Sequence, residues 1–325
     1  MPAPLAASPV PQAPILTVTL NPCLDLAASV AGMQPGPKLR LTEPSLDPGG
    51  GGINVARAVH ILGGQATAFV AAGGATGARV LALLAAEGVP TAPFPGPGET
   101  RQSLAVTDRA TGGQYRLMLP GPQWRLTDRR AVLAAIAALA VPGGFVVLSG
   151  SQPPGLPDDF AAALARRLAR AKARLVLDTS GPALAAAIRA TRPVEVLRMD
   201  QEEAAEVAGH PLASRRDTAD FAQSLVRAGA AHMAIVARGA DGSTLATATA
   251  RLHASGVDVP VASAVGAGDS FLAAFVLALA RDLPAAEALR HGSAAAAAAV
   301  MTEATALCTR RDAERLRKRV VLSEV

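Results

Sequence analysis

Short runs rich in β-forming residues alternate with longer alanine- and leucine-rich helical patterns along most of this 325-residue chain. Residues 15–20 read as a first strand and 54–62 as a helix, and short buried strands are predicted at 145–148, 174–177 and 233–236. A strand that is followed by a helix can return to a parallel neighbour, so this alternation is typical of a parallel sheet covered by helices. The sequence therefore predicts an α/β fold with a mostly parallel central sheet.

Two segments break this alternation. Residues 26–46 and 101–119 alternate polar with apolar residues and are punctuated by proline and glycine, which indicates strands of a smaller sheet. Residues 1–14 are rich in proline and alanine and lack the basic start and continuous apolar core of a secretory signal. We expect a disordered tail over 1–14 and one domain over 15–320.

The composition argues against membrane and nucleic-acid partners. The apolar run 271–280 is far shorter than the roughly 20 residues that span a bilayer. The net charge is +5, but the densest basic run, 310–319, also contains acidic residues at helical spacing, as a solvated helix does. One tryptophan, one tyrosine and seven phenylalanines are too few for an obvious base-stacking platform. Cys23 and Cys308 form neither a disulfide framework nor a metal motif, which favours the cytoplasm.

The stretch Gly266-Ala267-Gly268-Asp269-Ser270, followed by an apolar run, places a glycine-flanked carboxylate at a predicted helix start. Glycines let backbone amides approach an anion closely, and the N-terminus of a helix adds a positive dipole end. Asp269 can therefore take a proton from a hydroxyl while the amides of Gly266, Ala267 and Gly268 stabilise a transferring phosphoryl group. The alternative is an ordinary Asp-Ser helix cap after a tight turn.

A second glycine cluster, Pro-Gly-Gly-Gly-Gly-Ile-Asn-Val-Ala-Arg at 48–57, also opens a helical pattern. Together with the segments 19–25, 38–40, 100–102 and 148–155, these residues resemble the phosphofructokinase-B branch of the ribokinase family of sugar kinases over nearly the whole chain. Many 1-phosphofructokinases and tagatose-6-phosphate kinases of that branch carry a lysine in this cluster, giving Gly-Gly-Lys-Gly. Four glycines stand here instead, which is most similar to bacterial 6-phosphofructokinases of the minor-isozyme type.

The resemblance implies a ribokinase-like three-layer αβα sandwich with a small β-sheet lid over the sugar site. It also implies an ATP- and Mg²⁺-dependent kinase that phosphorylates fructose 6-phosphate at the 1-hydroxyl to give fructose 1,6-bisphosphate. Lids of paired subunits often pack together in this family, so a homodimer is expected. Two alternatives stay open: tagatose 6-phosphate or fructose 1-phosphate as the substrate, and a non-catalytic sugar-phosphate sensor whose nucleotide site has decayed.

The resemblance also assigns residues to the sugar phosphate. Carboxylate and amide side chains can hydrogen-bond the sugar hydroxyls, glycines let the backbone approach, and basic side chains pair with the phosphate. Each has a plainer alternative as a turn residue, a helix cap or a solvated surface charge. The expected substrate-binding residues are Asp25, Lys38, Arg40, Gly49, Gly50, Asn54, Arg101 and Ser151.

For the nucleotide, the family uses an Asn-x-x-Glu element that follows a strand. This chain has Asp200 and Glu203 at those positions, and the resemblance gives them the task of ordering Mg²⁺ through water, since hard oxygen ligands suit that ion. An acidic helix start is the alternative interpretation. The resemblance places the nucleotide loop at Arg238, Gly239 and Gly242.

Several positions depart from the family pattern. Ala237 and Ala264 stand where serine or threonine is common near the nucleotide, and together with Asp200, which replaces the family's Asn, they favour the sensor alternative. Thr302, Ala304 and Ala306 stand where relatives often show Asn, Gly and Arg in a loop associated with a monovalent cation. A requirement for a monovalent cation such as potassium is therefore in doubt.

Overall fold

The computed structural model describes residues 10–303 and 305–325. Strands and helices alternate over most of this range and are numbered here in chain order. The strands are β1 (Ile15–Thr19), β2 (Cys23–Val30), β3 (Ser45–Gly49), β4 (Thr67–Ala72), β5 (Thr91–Pro95), β6 (Arg101–Asp108), β7 (Gln114–Met118), β8 (Phe145–Ser149), β9 (Arg174–Asp178), β10 (Val194–Asp200), β11 (Ala231–Ala237), β12 (Gly242–Ala246), β13 (Arg251–Ser255) and β14 (Leu322–Glu324). The helices are α1 (Gly51–Ile61), α2 (Gly74–Ala86), α3 (Leu126–Leu139), α4 (Phe160–Arg170), α5 (Gly181–Ile188), α6 (Gln201–Ala208), α7 (Arg215–Arg227), α8 (Ala267–Ala280), α9 (Ala285–Ala299) and α10 (Arg310–Arg317), with a 3-10 turn at Gly239–Asp241.

The central sheet has the strand order β14-β13-β12-β11-β10-β9-β8-β1-β4-β5. The strands from β11 to β5 run parallel, and β12, β13 and β14 add an antiparallel end. The order reverses at β1, which has β4 on one side and β8 on the other. Ligands of open α/β sheets bind beyond the carboxyl ends of the strands at such a reversal. The topology alone therefore directs attention to the chain that follows β1 and β8.

Alternate residues of the central strands point into two hydrophobic cores. Ile15 and Val147 pack with residues of α1, α8 and α9, whereas Leu16, Val18 and Val146 pack with residues of α3, α4 and α7. Successive side chains of a strand face opposite sides of a sheet, so strands covered on both faces are apolar throughout. The predicted mostly parallel sheet between two helical layers is confirmed.

A separate four-stranded sheet has the order β3-β2-β6-β7, and we call it the lid sheet. β2 pairs in parallel with β6, while β3 and β7 form antiparallel edges. The smaller sheet that the patterns at 26–46 and 101–119 indicated is therefore present, although β2 begins earlier, at Cys23. Residues 31–44, between β2 and β3, contain no strand. Pro35-Gly36-Pro37 lies in that stretch, and proline cannot donate to a strand ladder.

The described part of the N-terminal tail contacts the domain. The Ala13 amide donates a hydrogen bond to the carbonyl of Ala280 at 2.7 Å, and the Gln12 side chain exchanges two hydrogen bonds with the backbone of Gln65 at 2.7 and 3.0 Å. Residues 1–9 lie outside the described residues. A disordered tail over 1–14 therefore stays a prediction.

Helix α8 is buried along almost its whole length and packs against α9, whose small side chains allow a close approach. Their shared contact includes a stacked pair, Phe271 and Phe275, and Gly292, where an added Cβ would lie 2.9 Å from the Phe271 ring. Within the ranges 10–303 and 305–325, no helix is both long and apolar enough to cross a bilayer. The burial of α8 holds its N-terminal turn in a fixed place at the edge of the sheet.

Candidate active site

A cavity of about 330 Å³ lies between the lid sheet and the starts of α1 and α8. Side chains of β2, β6 and β7 line one side, and the two glycine clusters line the other. Asp25, Gly50, Asn54, Arg101 and Asp269 all face this space, although the sequence separates the first from the last by more than two hundred positions. The structure thus brings together five residues that the sequence analysis selected, Asp269 from its local motif and the other four from the family resemblance.

Asp269 lies in the first turn of α8, which follows Gly266 in the left-handed conformation at φ 76°. Its carboxylate Oδ2 accepts a hydrogen bond from Asn54 Nδ2 at 2.9 Å. Burial raises the pKa of Asp269 to about 6; Asp178 and Asp25 also raise it, while the Asn54 hydrogen bond and Arg198 act in the opposite direction. A carboxylate with a pKa near neutrality suits a general base, because it is ionised at pH 7 and still basic enough to accept a proton.

The turn before Asp269 contains two glycines, Gly266 and Gly268, whose backbone lies close to neighbouring side chains. The first amides of a helix have no carbonyl one turn earlier, so the amides at the start of α8 point out of the helix and can bind an anion. A Cβ on Gly268 would lie 2.9 Å from Arg198 Nη2, so a side chain there would displace that guanidinium. The geometry suits the anion-binding role predicted for Gly266, Ala267 and Gly268.

Arg198 and Asp178 form an ion pair beneath this turn that sequence reasoning missed. Arg198 Nη1 lies 3.2 Å from Asp178 Oδ1, and the two side chains are only 13% and 12% exposed. Arg198 is near the end of β10 and Asp178 is the last residue of the neighbouring strand β9. The available signal was Asp178, a charged residue directly after the predicted buried strand 174–177, because a buried charge requires a partner.

On the sugar side, Asp25 projects from β2 and accepts a hydrogen bond from Ser103 Oγ of β6 at 2.5 Å. Gly49 packs so closely on the Asp25 carboxylate that a Cβ there would overlap it. Gly50 has φ 119°, a conformation that side-chain-bearing residues rarely adopt, and Gly51 lies against Ser149 and Gly150 at the end of β8. A Cβ on Gly51 would lie 2.7 Å from the Gly150 nitrogen, so this cluster has no room for side chains.

Gly49 packs on the Asp25 carboxylate and does not itself line the cavity. Three further predicted substrate residues lie outside it. Lys38 and Arg40 are exposed on the loop between β2 and β3 and do not line it. Ser151 lines a neighbouring space of about 10 Å³ after β8, where its hydroxyl accepts a hydrogen bond from Asn21 Nδ2 at 3.1 Å. Contact of these three residues with a substrate stays a prediction.

The edge strand β7 supplies cavity residues that the sequence analysis did not select: Gln114, Arg116 and Met118. Arg116 lies opposite Ala105 in the β6–β7 register, so it shares a face of the lid sheet with Arg101 and Ser103. Residues at alternate positions of a strand face the same side. Arg116 could therefore have been selected from Arg101, but only with knowledge that β7 pairs with β6 and in which register.

The two acidic residues expected near Mg²⁺ form a capping box at the start of α6. The Glu203 amide donates to Asp200 Oδ1 at 2.9 Å, and the Asp200 amide donates to Glu203 Oε2 at 2.8 Å. The acidic helix start, the alternative interpretation, is therefore present. For the described residues, each carboxylate keeps one oxygen for which no hydrogen bond is found. These oxygens fit an ion held through water, and no group of three or more ligating side chains in the described ranges would hold a metal directly.

Arg238, expected in the nucleotide loop, makes a different set of contacts. Its guanidinium donates to Asp241 Oδ2 at 2.9 Å, to the carbonyls of Leu212, Ala213 and Ser214 at 3.1 Å each, and to the Thr218 hydroxyl. Its side chain is only 8% exposed. Gly242, with φ 118°, leaves no room for a Cβ beside Ala254, whereas Gly239 faces open space. Because most of its donors already have acceptors, Arg238 is disfavoured as a phosphate contact, and that role stays a prediction.

The loop that corresponds to the monovalent-cation loop of relatives is described only in part, because Ala304 lies outside the described residues. The Thr302 hydroxyl lies 2.7 Å from the carbonyl oxygen of Ala299 and 2.8 Å from that of Ala306. Thr302 therefore already connects two backbone carbonyls of this loop. Of the two alanines that depart from the nucleotide pattern, Ala264 lines the cavity and Ala237 ends β11.

Comparison with known proteins decides the family. Residues 18–312 match the profile of the pfkB family carbohydrate kinases. The chain belongs to the pfkB family. A curated relative of this pfkB-family kinase, the ATP-dependent 6-phosphofructokinase isozyme 2 of Mycobacterium tuberculosis, is 39% identical over 301 residues, which cover 93% of this chain and 88% of the relative.

Two further comparisons bear on this pfkB-family kinase. The 1-phosphofructokinase of Bacillus subtilis is 34% identical over 281 residues, which cover 86% of this chain and 89% of that protein. The crystal structure of Escherichia coli phosphofructokinase-2 in complex with fructose-6-phosphate matches with a TM-score of 0.88 at 35% identity, covering 94% of this chain and 99% of that one. The expected ribokinase-like fold is therefore confirmed, and this pfkB-family member is a sugar-phosphate kinase.

Proposed function

We propose that this chain transfers the γ-phosphoryl group of ATP to the 1-hydroxyl of fructose 6-phosphate and so makes fructose 1,6-bisphosphate. The observation that carries the proposal is Asp269, which lies at an anion-binding helix start and faces a cavity that also contains Asp25, Asn54 and Arg101. The similarity to a 6-phosphofructokinase of M. tuberculosis and to a structure that contains fructose-6-phosphate supports the choice of sugar.

The charges in the cavity give the substrate a direction. Arg101 and Arg116 lie on β6 and β7, whereas Asp25 and Asp269 lie on β2 and α8. In the described part of the chain, the Arg101 side chain makes one hydrogen bond, from Nε to the Asn21 carbonyl at 3.4 Å, and no ion pair is found for either arginine. Guanidinium groups that lack a carboxylate partner suit a phosphate. We therefore propose that the phosphate end of the sugar binds at the β6–β7 hairpin and that the acceptor hydroxyl lies at Asp269.

In the reaction, Asp269 accepts the proton of the 1-hydroxyl while that oxygen forms a bond to the γ-phosphorus. The bond from the γ-phosphorus to the bridging oxygen breaks, and ADP leaves with the electron pair. The amides of Ala267 and Gly268 lie where they can stabilise the charge of the transferring group. Bound Mg²⁺ would neutralise charge on the triphosphate, and the free oxygens of Asp200 and Glu203 are the groups that would order its water ligands.

Kinases of fructose 1-phosphate and of fructose 6-phosphate share this chemistry. Because the B. subtilis relative is a 1-phosphofructokinase, fructose 1-phosphate is the second candidate substrate. The specific observation against fructose 1-phosphate phosphorylation is Gly51, which packs on Gly150 in the space where many 1-phosphofructokinases carry the lysine. Tagatose 6-phosphate, a stereoisomer of the proposed substrate, is compared directly in the experiment below.

The experiment measures ADP release from Mg-ATP with fructose 6-phosphate, tagatose 6-phosphate and fructose 1-phosphate in parallel. Asp269→Asn should lower kcat by about 10²- to 10⁴-fold, because a positioned general base contributes that much, and should leave sugar binding nearly unchanged. Asp158→Asn is the matched control, since Asp158 is an exposed aspartate at the approach to α4.

The outcomes separate the candidate functions. Turnover of fructose 6-phosphate that Asp269→Asn removes and Asp158→Asn preserves would support the proposal. A higher kcat/KM for tagatose 6-phosphate or fructose 1-phosphate would show that the enzyme prefers that sugar phosphate over fructose 6-phosphate. Sugar binding without any turnover would favour the sensor instead.

We also infer a homodimer that forms through the lid sheet. Among the described residues, the outer strand β7 has a pairing partner on one edge only, and its Tyr115, Leu117 and Met118 are 45%, 55% and 59% exposed. Exposed apolar residues on a sheet edge favour pairing with another chain. Sedimentation at micromolar concentration should give twice the monomer mass, and Leu117→Lys should shift the distribution towards the monomer.

A further inference from the structure

The segment 305–308 contacts both the lid sheet and the turn that carries Asp269. At one end, the Thr305 hydroxyl donates a hydrogen bond to Asp47 Oδ2 of β3 at 2.7 Å. At the other end, the Cys308 amide donates to Ser270 Oγ at 3.3 Å. Between these points, the Leu307 side chain packs on Gly266, where an added Cβ would lie 2.9 Å from Leu307 Cδ2. Four consecutive residues therefore connect the sugar side of the cavity to the anion-binding turn.

Asp47 needs a partner because of its place in the lid sheet. It lies directly opposite Asp25 in the β2–β3 register, and like charges that face each other across two strands repel. Arg57 Nη2 lies 3.5 Å from Asp47 Oδ1, but the same guanidinium is held by Glu87, with Nε 2.6 Å from Oε2. Only part of the Arg57 charge is available to Asp47. The Thr305 hydroxyl supplies the shorter contact to the Asp47 carboxylate.

The hydrogen bond also lies at the cavity. Thr305 lines it together with Asp25 and Asp269, so its contact with Asp47 lies beside the space where the sugar would bind. The side chain of Asp47 is 29% exposed, and the hydrogen bond therefore competes with water. Such a contact holds when the lid sheet and the segment 305–308 stay at their observed separation and is lost when they move apart.

We propose that Thr305 is a positioning residue. Through its hydrogen bond to Asp47, it couples the lid sheet to the turn that carries Asp269. The inference rests on the proposed sugar-phosphate kinase function. A substrate that holds the lid sheet in place also holds Asp47 in place. Through its contacts with Asp47 at one end and with Gly266 and Ser270 at the other, the segment 305–308 couples the position of the lid sheet to that of the turn. Nucleotide phosphates bound at the turn act on the same segment from the other end. Sugar phosphate and nucleotide should therefore strengthen each other's binding, and by equal factors.

The experiment compares Thr305→Val, which removes the hydroxyl but keeps the shape, with Thr305→Ser, which restores it. Calorimetry measures the Kd of fructose 6-phosphate with and without Mg²⁺ and a non-hydrolysable ATP analogue. The wild type should bind the sugar phosphate at least about fivefold more tightly with the analogue present, within the usual range of such couplings. Thr305→Val should reduce this factor to below about twofold, because a hydrogen bond to a charged group is worth roughly tenfold or more.

Kinetics supply the second readout. Thr305→Val should lower kcat/KM for fructose 6-phosphate by about tenfold, and Thr305→Ser should stay within about threefold of the wild type. Thr42→Val is the matched control, because the Thr42 hydroxyl accepts a hydrogen bond from the Ser29 amide of β2, and among the described residues no hydrogen bond joins it to the turn that carries Asp269. Thermal unfolding checks that each variant is folded, and Thr305→Ala replaces Thr305→Val if valine does not fit.

The outcomes distinguish this inference from the proposed function. No turnover by the wild type on any of the three sugars would refute the proposed function. A wild type that turns over fructose 6-phosphate but shows no coupling between the two ligands would refute the role of Thr305 alone. Unchanged coupling in Thr305→Val, or a loss that Thr305→Ser does not restore, would refute it as well.

Discussion

Asp269→Asn should make the protein more stable above neutral pH while it removes activity. Burial raises the pKa of Asp269 from the ordinary value of 3.8 to about 6, so the folded state holds a proton that the unfolded state releases. A shift of about 2 units corresponds to about 3 kcal/mol against folding once the pH is above both values. The penalty is fully present above the folded pKa and fades as the pH falls towards the unfolded one. Asparagine has the same shape and no charge, so the variant lacks the penalty.

The assay is urea unfolding of the wild type and the variant at two pH values. At pH 8 the free energy of unfolding of Asp269→Asn should exceed that of the wild type by up to about 3 kcal/mol, and at pH 4.5 by about 1 kcal/mol. Asp158→Asn, the exposed control, should show no comparable difference at either pH. Equal stabilities at pH 8, or a difference that is the same at both pH values, would show that Asp269 does not carry a buried charge in the folded enzyme.

Three further predictions follow from charged or titrating side chains. Arg198→Met removes a positive charge that lowers the pKa of Asp269, so the acid limb of the pH profile of kcat/KM should move to higher pH; an unmoved limb would contradict the geometry. Arg238→Met removes five hydrogen bonds of a mostly buried guanidinium and should lower Tm by several degrees, with less than about a threefold change in KM for ATP; a large rise in KM alone would restore Arg238 to the nucleotide site. Burial lowers the pKa of His253, whose ring lies 3.1 Å from the Thr244 hydroxyl, so the folded state favours the neutral ring. The stability of the wild type should therefore fall as the pH drops below about 6.5. Tm measured against pH should show this fall in the wild type and not in His253→Gln.

Local sequence patterns predicted the central sheet and its helices, because buried strands and helices each have a characteristic pattern of apolar residues over a few positions. The apolar runs that became β1, β8 and β11 are buried on both faces, and such strands are recognisable without knowledge of their neighbours. The order of strands in the lid sheet was not accessible in the same way. Its parallel β2–β6 pairing joins Cys23 to Arg101 across nearly eighty residues, and no local pattern specifies which distant strand a strand will pair with.

The residues of the candidate site likewise fall into those that a local motif reveals and those whose role depends on distant strands. Asp269 and Asn54 were found because glycine clusters at helix starts are local motifs, and the structure joins the two side chains by a hydrogen bond of 2.9 Å. Arg116 and Arg198 were missed because their roles depend on register and on a neighbouring strand. Arg238 was selected for its place in a loop, yet four of its five hydrogen bonds go to residues between Leu212 and Thr218, which precede it by 20 or more positions.

The close packing behind Gly51 limits the order in which substitutions can accumulate as substrate preference evolves. A side chain at position 51 would meet the Ser149 hydroxyl and the Gly150 backbone, which are held at the end of β8. The lysine that many relatives carry in this cluster therefore cannot be introduced here by a single mutation without displacing that backbone. A lineage moving towards that lysine must first accept changes in the chain after β8, and Gly51→Lys made alone is expected to damage the sugar cavity before it alters which sugar is used.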